Sequence, residues 1–255
     1  MKQKIIRSLS PKEVDLLSRL EFEGKAVYTK EELVSFCKDK QQGQYLIKKL
    51  LEKKRLKKII KNTYFVIPIK APQGKWMPNE YVIAKILVKD SNYYIGYSSV
   101  FNSYGFTEQV AQMIYVINDK YSFSKIINGI KFKAVKVKSK KIYGLDTRVI
   151  GGENISFPSK ERALIDAFEF YNTAKAEAIL VNQFKKINIE TLIDYVSLYP
   201  VQIVRRRMGY FLEKLKVPKK TLNKIDVGKS GYSFLRDNDV KKGAINKRWR
   251  VIVNG

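Results

Sequence analysis

In the stretch KQQGQYLIKKLLEKKRLKKIIKNTYFVI, residues 40–67, amide side chains able to form directed hydrogen bonds stand ahead of a run of cations. Gln41, Gln42 and Gln44 can each donate and accept at once, which is the pairing that the major-groove edge of adenine offers. Tyr45, Lys48 and Lys49 follow and suit contact with phosphate or a base edge. Lys57, Lys58, Lys61 and Asn62 come next, where a basic turn would grip a phosphate backbone or a minor groove. The bland alternative is a small helical domain with a solvated lysine-rich surface that binds protein.

Other chemistry is tightly limited. The chain contains no histidine, which removes Ser-His-Asp and Cys-His nucleophiles, His-bearing zinc sites and the usual general base at neutral pH. Gly96-Tyr97-Ser98-Ser99-Val100 resembles a nucleophile elbow without its second glycine, so Ser98 reads as a helix cap. Gly228-Lys229-Ser230 resembles the end of a phosphate loop with Asn223 where the earlier glycine belongs, and reads as a surface turn. Glu161 and Asp166 could hold a metal for nucleolytic cleavage. The preferred reading makes Glu161 a first-turn acid on a helix dipole and Asp166 a partly buried acid bonded to a backbone or basic group. Arg205, Arg206 and Arg207 flank the apolar stripe Val204, Met208, Phe211 and Leu215 and are expected to point away from it, toward nucleic acid, an acidic partner or solvent. No catalytic residue, metal ligand or cofactor is assigned, and the chain is expected not to be an enzyme.

The elements that must position these groups follow from caps and periodicity. Ser10-Pro11-Lys12-Glu13 combines a cap, a proline at the first helical position and a returning glutamate, so a helix over 11–23 ends at Gly24. Thr29-Lys30-Glu31-Glu32 repeats the signal for a short second helix ending near Asp39, which caps a third. That third helix buries Leu46, Ile47, Leu50 and Leu51 and leaves Gln41, Gln44, Tyr45 and Lys48 off the stripe. Gly43 near its start implies close approach to a neighbouring helix or a phosphate. After Leu56 the pattern becomes a β-hairpin turning at Lys61-Asn62. Three helices and a basic hairpin are the order of a winged helix-turn-helix, whose second paired helix enters the major groove.

KAPQGKW, residues 70–76, reads as a linker, which divides the chain into a winged helix-turn-helix domain over 1–70 and a mixed α/β domain over 71–255. The expected class is α+β, ending in a helical region. The second domain is expected to hold a helix from 78, strands at 93–97 and 112–118, and a helix from Ser98 to Tyr104. A lysine-rich strand at 129–137 has a phase flip at Ala134-Val135 that a bulge would produce, and a hairpin turns at Gly151-Gly152. Helices are expected over 159–171, 173–184, 189–198 and 201–215.

Composition narrows the partners. Fifty Lys and Arg against 24 Asp and Glu leave a net charge of +26, a surplus that favours a polyanion. It is concentrated at the ends: +10 over residues 1–70 and +11 over 200–255, against +5 between them. One cysteine, Cys37, excludes an internal disulfide and suits a reducing compartment. With no signal-peptide core and no long apolar run, the expected place is the cytoplasm, with no membrane partner.

The chain as a whole resembles the antitoxin component of AbiE-type abortive-infection systems. The likeness rests on the winged-helix pattern, YYIGYSSVFNSYGFTEQ (93–109), the lysine-rich strand at 129–137, FPSKERALIDAF (157–168), RRMGYFLEKL (206–215) and NKRWRVIVN (246–254). The resemblance implies an N-terminal domain that binds double-stranded DNA at the protein's own promoter and represses its operon. It also implies a C-terminal domain that counters a nucleotidyltransferase-like toxin, directly or indirectly, and no active site in the antitoxin itself. A dimer on DNA is one arrangement the sequence leaves open. The competing readings are a metal-dependent nuclease using Asp166 and Glu161, and a regulator whose second domain senses a small ligand.

Overall fold

The computed structural model describes residues 8–71, 76–237 and 242–254. The chain is mixed α/β and divides into two compact units. One takes the described residues up to Lys89 with Ile126–Ile130 and Val149–Ile155; the other takes Asp90–Lys125, Lys131–Arg148 and the chain from Ser156 onward. The expected linker lies partly outside the described residues, since 72–75 are not among them.

In the first unit, α1 (Pro11–Phe22), α2 (Lys30–Ser35) and α3 (Lys40–Glu52) are joined by β1 (Val27–Thr29) and followed by β2 (Leu56–Ile60) and β3 (Thr63–Val66). Both expected capping boxes form, Ser10 with Glu13 and Thr29 with Glu32. β2 and β3 form an antiparallel hairpin and β1 pairs on the far side of β3, so the sheet order is β1-β3-β2. The helices bury Leu16, Leu17, Leu20, Leu33, Leu46, Ile47 and Leu50 against Leu56, Tyr64 and Val66 of the sheet. Burial of such side chains is what holds short helices in place. A buried ion pair crosses this core's edge: Lys53 lies 2.6 Å from Glu13, whose side chain is only 3% exposed. α4 (Glu80–Leu87), capped by Asn79, completes this unit's helices.

β4 (Tyr93–Gly96), β5 (Met113–Asn118), β6 (Phe123–Ile127) and β7 (Ile130–Lys136) form a sheet of order β4-β5-β7-β6, which falls in the second unit except for residues 126–130. β4 pairs antiparallel with β5, and β5 runs parallel to β7. Against β5 the expected bulge in β7 does not occur: Met113 to Asn118 pair with Lys131 to Lys136 without a shift. Phe132 and Ala134 are buried while Val135 is only half-buried, so the outer face tolerates an apolar residue and no extra residue is needed. A register shift falls instead in β2, between Lys58 and Ile60. β8 (Leu145–Ile150) and β9 (Glu153–Pro158) form the hairpin turning at Gly151 and Gly152, with φ of +58° and +78° as its tight turn requires.

Between strand β4 and the short helix α5 (Ser98–Phe101), Ser98 is not the cap expected of it. Tyr97 holds that position with φ 51° and ψ −141°, and α5 has no side-chain cap. The neighbouring Ser99 hydroxyl instead accepts from the Tyr115 N–H at 2.7 Å and donates to the Met113 carbonyl at 3.2 Å. α6 (Lys160–Phe170), α7 (Thr173–Gln183), α8 (Ile189–Leu198) and α9 (Gln202–Lys214) follow close to their expected spans. After α10 (Lys219–Leu222) comes a small sheet that periodicity had not indicated, β10 (Ser233–Phe234), β11 (Ala244–Asn246) and β12 (Val251–Val253), in the order β10-β12-β11. Trp249 covers α9 so closely that a Cβ on Gly209 would lie 2.1 Å from its ring.

Candidate nucleic-acid interface

Three local devices set how α3 is presented. Asp39 caps it, its Oδ1 accepting the Gln42 N–H at 2.7 Å, and Gln42 Oε1 in turn accepts the Lys38 N–H at 3.0 Å. Gly43 is buried, and a Cβ there would lie 2.9 Å from Val34 Cγ2 and 3.1 Å from Val34 Cα. The close approach expected of this glycine is therefore to α2. The face carrying Leu46, Ile47 and Leu50 is buried in the core.

The opposite face is open. Gln41, Gln44, Tyr45 and Lys48 are exposed, Tyr45 at 59%. Two of the expected contact residues are engaged differently. Gln42 is half-buried and tied into the helix start, lining a cavity of about 300 Å³ with Leu16, Phe36, Cys37 and Leu46. Lys49 lies 3.1 Å from Glu52 and 5.8 Å from the Tyr45 ring centre, so its charge is partly neutralised while it steadies that ring.

On the hairpin, Lys58, Lys61 and Asn62 are exposed. Asn62 takes φ +58°, the left-handed conformation the turn requires, and its carbonyl accepts the Lys30 N–H at 2.8 Å, fastening the turn to the start of α2. Lys57 is held sideways by Asn128 Oδ1 at 2.7 Å and stands 6.0 Å from the Phe65 ring centre. Two further residues belong to this surface without a distinctive sequence signal. Lys40 is exposed on the first turn of α3, a place any lysine-rich stretch could supply. Asn128 reaches Lys57 across 71 residues of sequence, and no local signal announces that.

The three arginines of α9 do not point outward. Arg206 is 3% exposed and donates to the carbonyls of Val227 and Ser230 and to Ser233 Oγ. Arg207, 6% exposed, pairs with Asp237 at 2.6 Å and with the Phe234 carbonyl. Arg205 is half-buried, with Asp226 at 3.9 Å. The helical wheel misleads because the segment 226–237, through its loop and strand β10, packs on the side that the arginines occupy.

The two candidate metal-binding carboxylates serve separate partners. Glu161 accepts the Asn188 N–H at 2.9 Å. Asp166 is wholly rather than partly buried, and accepts Arg162 Nη1 at 2.7 Å and the Tyr94 hydroxyl at 3.2 Å. Burial pushes its carboxyl up to about 6, against the opposing pull of Arg162. Desolvation works against the Arg162 charge too, but Asp166 and the surrounding tyrosine oxygens outweigh it and keep the guanidinium protonated. Tyr94, Tyr143 and Tyr199 place their rings 5.0–5.6 Å from that guanidinium. Among the described residues no group of three or more His, Cys, Asp or Glu could hold a metal ion, and no helix is long and apolar enough to cross a membrane.

No protein-family model and no curated protein matches this chain. Among solved structures it is similar to the crystal structure of the RV2827C protein from Mycobacterium tuberculosis. The TM-score is 0.67 at 15% identity, over 96% of this chain and 92% of the other. At that identity the likeness concerns the fold alone.

Proposed function

We propose that the protein binds double-stranded DNA as a winged helix-turn-helix, with α3 in the major groove and the β2–β3 hairpin against the flanking backbone. It represses its own operon in the cytoplasm, acting as the antitoxin of an AbiE-type pair rather than as an enzyme. The observation that carries the DNA reading is the row Gln41, Gln44, Tyr45 and Lys48, exposed on a helix whose opposite face is buried. Thirteen residues of helix span about 20 Å, enough to lie along a groove and reach several base pairs. Lys58 on β2 and Lys61 on the turn tied to α2 supply the adjoining backbone grip. The antitoxin part of the reading is supported by the chain-long resemblance carried by residues 93–109, 157–168, 206–215 and 246–254.

A footprint on the DNA upstream of the protein's own gene tests the first part. Protection of a defined site, weakened by Lys48→Ala and Lys61→Ala, is the expected outcome; salt-independent binding or no protected site would sink it. Rescue of growth in cells expressing a neighbouring nucleotidyltransferase-like protein tests the second. Failure to rescue would leave a repressor without antitoxin action.

A further inference from the structure

The second unit gathers cations that its own carboxylates do not neutralise. Arg206 turns its guanidinium into the loop 226–233: Nε donates to the Val227 carbonyl at 2.9 Å, Nη1 to Ser233 Oγ at 3.0 Å and Nη2 to the Ser230 carbonyl at 2.7 Å. Each of its three nitrogens is thus tied to the loop, whose path it sets. Arg250 fastens the other side, donating from Nε to the Gly231 carbonyl at 3.0 Å and standing 5.2 Å from the Tyr232 ring centre. Among the described residues Arg205 meets Asp226 alone, at 3.9 Å, an acid whose side chain is 77% exposed. Arg205 Nε is buried without a partner among the described residues. Lys229 stands exposed on the loop itself.

We propose that the loop 226–231, with Arg205, Arg250 and Lys229, binds a compact phosphate-type oxyanion, and that Arg206 is the internal brace that shapes this site. Four cations here face one solvated carboxylate. Burial first, then repulsion from Arg250 and Arg205, pulls the Arg206 guanidinium below its usual range. An anion on the loop would relieve that repulsion. Gly228 and Gly231 turn the chain at φ +70° and +59°, and the N–H groups of Lys229, Ser230 and Gly231 reach no acceptor among the described residues. Exposed successive N–H groups between left-handed turns make an anion-accepting concavity. Gly228-Lys229-Ser230 is nevertheless not a phosphate loop of the nucleotide-hydrolase kind, because Asn223 ends α10 and holds Arg248. With Arg205 only 13% exposed, a compact tetrahedral anion suits the site better than a flat acidic surface. The guanidinium fork matches that geometry. The shared chemistry fits free phosphate and the phosphate tail of a nucleotide alike.

The site is independent of the DNA reading. Thermal unfolding of the full chain at constant ionic strength, titrated with inorganic phosphate or ATP against sodium chloride, reads it directly. The expected result is a saturable rise in Tm, with affinity about tenfold weaker in Lys229→Ala and in Arg250→Ala. Lys229 is exposed, so its alanine variant folds and keeps the test decisive if Arg250→Ala does not. ATP binding at least tenfold tighter than phosphate assigns the site to a nucleotide; equal affinities assign it to free phosphate. The proposal is overturned if neither anion gives a saturable shift, or if the shift is unchanged in Lys229→Ala. It is equally overturned if Lys229→Ala weakens DNA binding as Lys48→Ala does, since the cluster would then serve a phosphodiester backbone.

Discussion

On the proposed DNA reading, the exposed side chains of α3 and of the β2–β3 hairpin divide into those that would read bases and those that would hold backbone, and each class has its own signature on substitution. Gln41 and Gln44 stand exposed with both amide atoms available, so Gln41→Ala or Gln44→Ala should relax preference at one base pair. The cost is about 1–3 kcal/mol at the preferred base, and competition binding against single-base variants measures it. Lys48→Ala and Lys61→Ala should weaken binding to all sequences and flatten the slope of log K against log salt by about 0.9 each. Lys57, tied to Asn128, should contribute less than either. Glu13 is an anchor of another sort. Burial would raise its carboxyl, but hydrogen bonds from Lys53 and Ser10 outweigh that and hold it below the usual range. A carboxylate lowered on folding stabilises fully above its unfolded value near 4.3 and loses that contribution as pH falls through the folded value. Glu13→Gln should therefore cost about 1.5–3 kcal/mol near pH 7. The gap in Tm to the parent should close below about pH 4; a gap constant down to pH 3 would assign it to shape rather than charge.

At the scale of elements, the angle between α2 and α3 depends on a missing Cβ. Gly43→Ala should gain about 1 kcal/mol in helix propensity, yet the added carbon meets Val34 at 2.9 Å and its main chain at 3.1 Å. Overpacking of that kind costs about 1–3 kcal/mol, so the balance is expected to be destabilising. Displacement of α3 should also lower DNA affinity beyond the effect of Gln41→Ala. Unchanged Tm and affinity would mean that the helices part freely. The hairpin turn is held twice, by the left-handed Asn62 and by its bond to Lys30, and Asn62→Gly should preserve both.

For the whole molecule, the Arg162–Asp166 pair with Tyr94, Tyr143 and Tyr199 is a structural centre of the second unit. Removing one partner of a buried pair leaves an uncompensated charge, so Asp166→Ala should destabilise by about 3–5 kcal/mol in denaturant unfolding. The same variant decides the nuclease reading. Magnesium-dependent cleavage that disappears with Asp166→Ala while the fold persists would overturn a binding role. The net charge of +26 acts at this scale as well, steering any polyanion toward the protein in a salt-dependent way.

Short-range information in the sequence was enough for much of the molecule. Ser10, Thr29 and Asp39 announce their helices because a cap and its partner lie within three residues. Gly151-Gly152 and Asn62 announce turns because only certain residues accept a positive φ. The exposed row on α3 follows from helical periodicity alone. Tertiary structure decided what depended on distant partners. Asn128 draws in Lys57 from far along the chain, α2 uses the space Gly43 leaves, and Asp166 is buried against Arg162 and the distant Tyr94. The segment 227–237 covers Arg206 and Arg207, which a helical wheel alone turns outward. Caps and turns are settled by energies acting within a few residues, whereas burial of a charge is settled by whichever segment packs against it, and a linear pattern does not encode that segment's position.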